Sequence, residues 1–280
     1  MIASNLQAQK HLITVADDFG LSPLVNEAVE VAARDGILTS ASLMVAAPAA
    51  ADAVRRAQAL GGKLRVGLHL VVVEGPACLD PSAIPNLVNG AGAFPSDQVA
   101  MGFRYAFSPA ARQQLAAEIR AQFAAFAATG LPLDHANAHK HMHLHPVVGH
   151  LMLTIGREFG LRAVRVPAEP KMPAQARPFG DRALFAWTRL LRYQATRAGM
   201  LTNDSMFGLG ASGHMTPSRV QALVDRLPQG LTELYFHPAT GQDEILRRHM
   251  PAYEHAAEFA ALLQTRLPSD VRLTSYSDLI

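Results

Sequence analysis

Short apolar runs alternate along the chain with stretches whose apolar positions recur every three or four residues. The first run, residues 11–16 (HLITVA), predicts a buried strand, and Asp17-Asp18-Phe19-Gly20 the loop that leaves it. Ser22-Pro23 predicts a helix start, with serine capping free N–H groups and proline at the first helical position. Val25, Ala28, Val29 and Ala32 give that helix its apolar face, and Gly36 its stop. The rhythm continues with strands over residues 38–45, 64–73, 133–138, 162–166, 201–207 and 232–236, and a short last one near 271–274. Helices are predicted over 49–60, 110–128, onward from Pro146, over 184–197, after Thr216-Pro217 and over 252–266. Two stretches break the rhythm. Residues 74–108, rich in proline and glycine, read as an irregular insertion, and residues 167–178 as a second irregular stretch.

Strands alternating with helices, with no linker between units, predict one α/β domain over residues 1–280 with a parallel sheet. Seven or eight such units in 280 residues fit a distorted (β/α) barrel, with an open doubly wound sheet as the alternative. Both architectures gather active residues at the C-terminal ends of strands. A chain that is 49% hydrophobic and 17% charged is not disordered. Its most apolar stretch, residues 41–51, is interrupted by Pro48 and followed by Asp52, far short of the ~20 residues of a membrane span. With 25 basic and 23 acidic residues there is no electrostatic case for nucleic acid. The single cysteine, Cys78, excludes an internal disulfide, and residues 1–11 lack the apolar core of a signal peptide, so a cytoplasmic protein is expected.

Histidine changes the picture. The chain has 12, and those at 135, 139, 141, 143 and 145 crowd one segment. In a strand these five would share a face; in a helix His139 and His143 would. The segment is internal and interleaved with apolar residues, and imidazole is a common metal ligand that catalytic sites combine with a carboxylate. Carboxylates stand ready at Asp17 and Asp18, directly after a buried strand. One can hold a cation while the other acts as a base, although a polar turn would also account for the pair. His69, in Val66-Gly67-Leu68-His69-Leu70, is a ligand candidate or a core histidine. His237 ends a late strand and would face the same barrel mouth as a candidate general acid. Arg165, also at a strand end, could bind substrate or orient a carboxylate with its forked donors. There is no Gly-x-Ser-x-Gly elbow and no Gly-Lys-Ser/Thr phosphate loop, and residues 208–213 read as a glycine-rich loop.

Four segments, in order, resemble the YdjC-like carbohydrate deacetylases from residue 11 to about 240. They are Thr14-Val15-Ala16-Asp17-Asp18-Phe19-Gly20, Gly67-Leu68-His69-Leu70, the run from His135 to His143, and Tyr235-Phe236-His237-Pro238. Ser40-Ala41-Ser42-Leu43-Met44-Val45, Asp134-His135-Ala136-Asn137-Ala138-His139-Lys140 and Val166-Pro167-Ala168-Glu169-Pro170 further resemble the hopanoid-biosynthesis-associated branch. The resemblance implies a distorted (β/α) barrel and metal-dependent removal of an N-acetyl group from an amino sugar. Asp18, His69 and His139 would hold one divalent ion, magnesium or zinc, Asp17 would be the base, and His237 the acid or a substrate contact. Arg165, His141 and His143 are expected at the substrate, and either histidine is a second candidate to protonate the leaving amine. The family commonly has Asp-Ser where this chain has Asn137-Ala138, which keeps hydrogen bonding there and removes a charge. The expected substrate is an N-acetylglucosamine head group on a hopanoid lipid, met by peripheral contact with the membrane. Val71, Val72, Val73, Leu79, Ile84, Leu87 and Phe94 would then form an apolar lip. The alternatives are a deacetylase of soluble chitooligosaccharides and a metal-dependent sugar-binding protein without turnover, which would have no use for Asp17.

Overall fold

The computed structural model describes residues 9–170 and 179–280. The signal-peptide expectation for residues 1–11, and the end of the second irregular stretch at 171–178, fall largely or wholly outside these residues. The strands are β1 (Lys10–Phe19), β2 (Ser40–Leu43), β3 (Arg65–Leu70), β4 (Leu133–Ala138), β5 (Ala163–Val164), β6 (Leu201–Thr202), β7 (Ser205–Phe207), β8 (Gly230–Phe236) and β9 (Val271–Leu273). Their pairings are parallel, in the order β6-β5-β4-β3-β2-β1-β8-β7, with β9 also on β1. The helices are α1 (Pro23–Asp35), α2 (Ala50–Ala59), α3 (Gln98–Phe107), α4 (Pro109–Ala128), α5 (Pro146–Glu158), α6 (Phe179–Arg197), α7 (Pro217–Val224), α8 (Glu244–His249) and α9 (His255–Gln264). The first is capped as its sequence predicts, with the Ser22 side chain accepting from the Leu24 N–H.

The two ends of the sheet are consecutive in sequence. Only Asn203 and Asp204 separate β6 from β7, and three residue steps span at most about 11 Å. The sheet therefore curls until its edges nearly meet, and the predicted strand over 201–207 is split at that seam. Asn203 stands in for the missing ladder. Its side chain accepts from Val166 N (2.7 Å) and donates to Val166 O (2.9 Å) and Ser205 O (3.0 Å). The result is a barrel-like parallel α/β sheet rather than an open doubly wound one.

Two predicted elements need correction. The insertion at 74–108 is not irregular throughout, because α3 fills its end. Asp97 caps this helix by accepting from Ala100 N, Met101 and Tyr105 face the core, and Val99, Phe103 and Phe107 face outward. Apolar residues on both faces erase the one-sided periodicity that reveals a surface helix. The lip is wrong as drawn, too. Val71, Val72, Val73, Ile84, Leu87 and Phe94 are all buried in the main core, and Leu79 packs against it. Buried polar side chains fasten this segment: Glu118 accepts from the N–H groups of Cys78 (2.8 Å) and Leu79 (3.0 Å), and Tyr105 donates to the carbonyl of Val72. The six-residue α8, capped by Asp243, is too short to show a period.

Candidate metal centre and active site

β1 ends in an irregularity. Its register on β2 shifts between Ala16 and Phe19, and Asp18 takes a left-handed backbone (φ 59°). In a regular strand neighbouring side chains point to opposite faces. The bulge re-aims them, so that Asp17 and Asp18 are both buried at the C-terminal end of the strand. Asp18 Oδ1 lies 3.2 Å from Nε2 of His69, on β3, and 3.1 Å from Nδ1 of His139, which follows β4. One ligand atom from each of these three residues lies within 4.8 Å of the others. The second oxygen, Asp18 Oδ2, is buried without a hydrogen-bond partner. One carboxylate and two imidazoles around an unsatisfied oxygen suit a divalent cation of the zinc or magnesium kind.

Asn137 organises this cluster. His69 Nδ1–H donates to Asn137 Oδ1 (2.7 Å), which leaves Nε2 with its lone pair toward Asp18. The Asn137 amide donates to Asp17 Oδ1 (3.0 Å) and to Ser42 Oγ (2.9 Å). An aspartate here would place a third carboxylate beside Asp17 and could not donate, so the neutral amide suits this arrangement. Below it Ser42 also meets His135, whose ring packs so closely on Gly67 that a Cβ there would come within 2.6 Å. Burial alone would lower the His69 pKa, but the charges of Asp17 and Asp18 outweigh it and raise the value. The pocket thus carries a field that attracts positive charge.

Asp17 is gripped by Arg165. Both guanidinium nitrogens reach it, NH1 to Oδ2 at 2.5 Å and NH2 to Oδ1 at 2.9 Å, while Nε donates to Glu233. Tyr276 donates to the other Glu233 oxygen (2.5 Å). Every member of this chain is buried. Burial would raise the Asp17 pKa, yet Arg165, with His69 adding its charge, holds the carboxyl well below its usual range. Arg165 thus orients a carboxylate, the second of the two roles open to it in the sequence. Glu233 and Tyr276 escaped the sequence reading. The signal for Glu233 was a charged residue inside the apolar run Leu231-Thr232-Glu233-Leu234; Tyr276 gave none.

The histidine segment follows neither regular pattern. After β4 it forms a 3₁₀ segment, His139–Leu144, in which Lys140 and His141 are left-handed (φ 51° and 54°). The five rings therefore take different surroundings, with only His141 and His143 still edge-on to each other at 6.1 Å. His135 lies in the barrel interior, His139 joins Asp18, and His141 packs edge-on to Tyr235 at 5.3 Å. His143 donates from Nε2 to the Arg165 carbonyl (3.1 Å), and His145 precedes α5 beside Tyr105 and Trp187. His237 leaves β8 between the rings of Tyr235 (5.4 Å) and Tyr253 (5.0 Å), with Nδ1 buried without a hydrogen bond and 4.0 Å from Glu258. At the rim Glu74 pairs with Lys140 and lies 3.7 Å from His249.

Burial, helped by the Arg165 charge, pushes His143 down to about 3. The fold thus favours the neutral ring, while the unfolded chain binds a proton below about 6.5. This contribution to stability is complete above that value and is lost as pH falls toward 3. The advantage of wild type over His143→Leu in urea unfolding is expected to narrow from pH 7 to about pH 4.

Comparison with known proteins places these residues in a family. A family model described as YdjC-like protein matches residues 11–272. A carbohydrate deacetylase of Brevibacillus brevis is 28% identical, over 96% of this chain and 99% of its own. One from Geobacillus stearothermophilus is 31% identical, over 82% of this chain and 80% of its own. A crystal structure from Enterococcus faecalis V583, titled as a candidate cellobiose-phosphate cleavage protein, shares the fold with a TM-score of 0.76. It is 22% identical and covers 97% of this chain and 99% of its own. The family match spans every strand of the sheet but the first residue of β1 and the last of β9, and every residue of the site except Tyr276: the chain belongs to the YdjC-like protein family.

Proposed function

We propose that this protein is a metal-dependent hydrolase that removes the N-acetyl group of an amino sugar, leaving acetate and a free amine. The observation that carries the reading is the pairing of Asp17 with the Asp18–His69–His139 cluster: a base held beside a metal site, which a binding protein does not need. Asp18, His69 and His139 would hold a divalent ion, which when bound would polarise the amide carbonyl and acidify a water molecule. Asp17, kept ionised by Arg165 and aimed by Asn137, takes the proton of the attacking water. His237 gives a proton to the leaving amine; burial and the Arg165 charge keep the rings of His141 and His143 neutral, which does not suit them to that task. His141 and Tyr235 line the same side as His237 and contact the sugar. Arg165, buried under Asp17, acts on the substrate through that carboxylate.

The metal is zinc or magnesium. Chelation is expected to abolish acetate release, and one of these ions to restore it. Asn137→Ala is expected to weaken metal binding roughly 10–100-fold in a titration of the apoprotein, because His69 loses the partner that fixes its tautomer. Unchanged acetate release after verified metal removal would overturn the metal-dependent reading.

The preferred substrate is an N-acetylglucosamine head group on a hopanoid lipid, reached from the cytoplasm by peripheral membrane contact. The segments around Ser40, Asp134 and Val166 support this branch of the family. Soluble chitooligosaccharide is the competing substrate. Acetate release from both at matched concentrations, with and without vesicles, separates them; a clear preference for soluble chitobiose removes the lipid and keeps the deacetylase chemistry.

A further inference from the structure

The helix α3 is apolar on two opposite faces. Met101 and Tyr105 are buried, whereas Val99, Phe103 and Phe107 are 69%, 63% and 74% exposed. The exposed three stand four residues apart, on one stripe about 12 Å long. The rings of Phe103 and Phe107 stack on each other at 6.0 Å, toward solvent. A second helix continues the surface. His145 touches Gly102 and Tyr105 of α3 on one side and Trp187 of α6 on the other. Trp187, Leu190 and Tyr193 are 41%, 37% and 59% exposed. A contiguous display of large apolar side chains on a folded protein marks a surface meant to be covered.

Charge decides what covers it. Neither residues 98–107 nor residues 185–197 contain an acidic side chain, while Arg104, Arg189, Arg192 and Arg197 lie on them. Arg104 and Arg192 donate to backbone carbonyls of their own chain, and in a two-fold contact with a second copy Arg189 and Arg197 would face each other with no carboxylate from residues 98–107 or 185–197 to pair them. Phenylalanine with tryptophan, tyrosine and arginine is instead the mixture that suits the boundary of an anionic bilayer. Rings enter the acyl edge, the indole and phenol sit at head-group level, and guanidinium groups meet lipid phosphates. The patch also adjoins the active site. At the start of α3, Gln98 donates to the carbonyl of Lys140 (2.9 Å), the residue after His139.

We propose that α3 and α6 form a docking surface for an anionic membrane, with Phe103, Phe107 and Trp187 entering the interface beside the mouth of the site. The proposal deepens the lipid-linked reading of the substrate and rests on it for its purpose, but not for its test. Trp187 is the only tryptophan of the chain, so its emission reports the patch directly. The full-length protein is mixed with vesicles of phosphatidylglycerol and phosphatidylcholine in equal parts, and with vesicles of phosphatidylcholine alone. Trp187 emission should shift to the blue on the anionic vesicles, and the protein should sediment with them, less so as salt is raised. Phe103→Ser with Phe107→Ser should weaken partitioning by roughly 100-fold, given the apolar area two rings bury. Arg189→Glu should weaken it selectively for the anionic vesicles. None of these side chains touches the catalytic residues, so all variants should release acetate from a soluble N-acetylated sugar as wild type does. Unmoved emission with protein left in the supernatant overturns the proposal. So does a monomer–dimer equilibrium, without lipid, that the two serines abolish, because a second copy would then be the occupant. Vesicle binding without acetate release from any N-acetylated sugar would leave the docking surface standing and remove the deacetylase reading instead.

Discussion

Replacing Asp17 by asparagine should lower acetate release at least ~100-fold while metal stays bound, because the amide nearly matches the carboxylate in shape but cannot take a proton. The structure sharpens the expectation. Asp17 is not one of the three clustered side chains, so removing its charge leaves Asp18, His69 and His139 in place. Its oxygens receive donors from Arg165 and Asn137, and an amide nitrogen at either position would point a donor at a donor. Some loss of stability should therefore accompany the loss of turnover, and the two are read separately. Metal content, melting temperature and acetate release on the same preparation decide the matter. Acetate release that survives unchanged would take Asp17 out of the mechanism.

Arg165→Met should be the more damaging change to the fold. It leaves two buried carboxylates, Asp17 and Glu233, without the cation that serves both. Breaking a buried ion pair from one side costs about 3–5 kcal/mol. The pH dependence identifies the cause. In wild type the Asp17 pKa is depressed, so its pairing stabilises the fold above the ordinary carboxylate range and is lost as pH falls through the lower folded value. In the variant the unpaired carboxylates have raised values, and acid relieves them by protonation. The stability gap between the proteins, measured by denaturant titration, should therefore close as pH falls. A gap that stays constant with pH would mean that lost packing, not lost charge pairing, is the cause.

The sequence made the strand-helix alternation legible because β1, β3 and β8 are buried, mostly apolar runs with polar residues at or just past their ends. The same rule exposed the chemistry: Asp17, Asp18, His69, Arg165 and His237 are polar residues at the ends of such runs, and the structure brings them to one end of the sheet. The histidine segment was legible as important but not as geometry. Its left-handed turn at Lys140 and His141 belongs to no periodic pattern, so neither the strand nor the helix alternative described it. α3 was hidden by its own second apolar face. Glu233 and Tyr276 were missed for another reason. Their meaning lies in a contact with Arg165 and with each other, between residues 43 to 68 positions apart, which no local pattern carries.

The seam between β6 and β7 gives the active-site arginine a second task. Arg165 emerges from β5, near one end of the strand order, and Glu233 lies on β8, near the other, so their ion pair joins the two ends of the curled sheet. Tyr276 touches both Glu233 and the seam residue Asn203. The barrel is thus a split ring whose clasp is the same group that grips Asp17. If the clasp opens, the catalytic carboxylate loses its partner, whereas Asp18, His69 and His139 hold one another through contacts that involve neither Arg165 nor Glu233. Closure of the ring and readiness of the base thus depend on one and the same guanidinium.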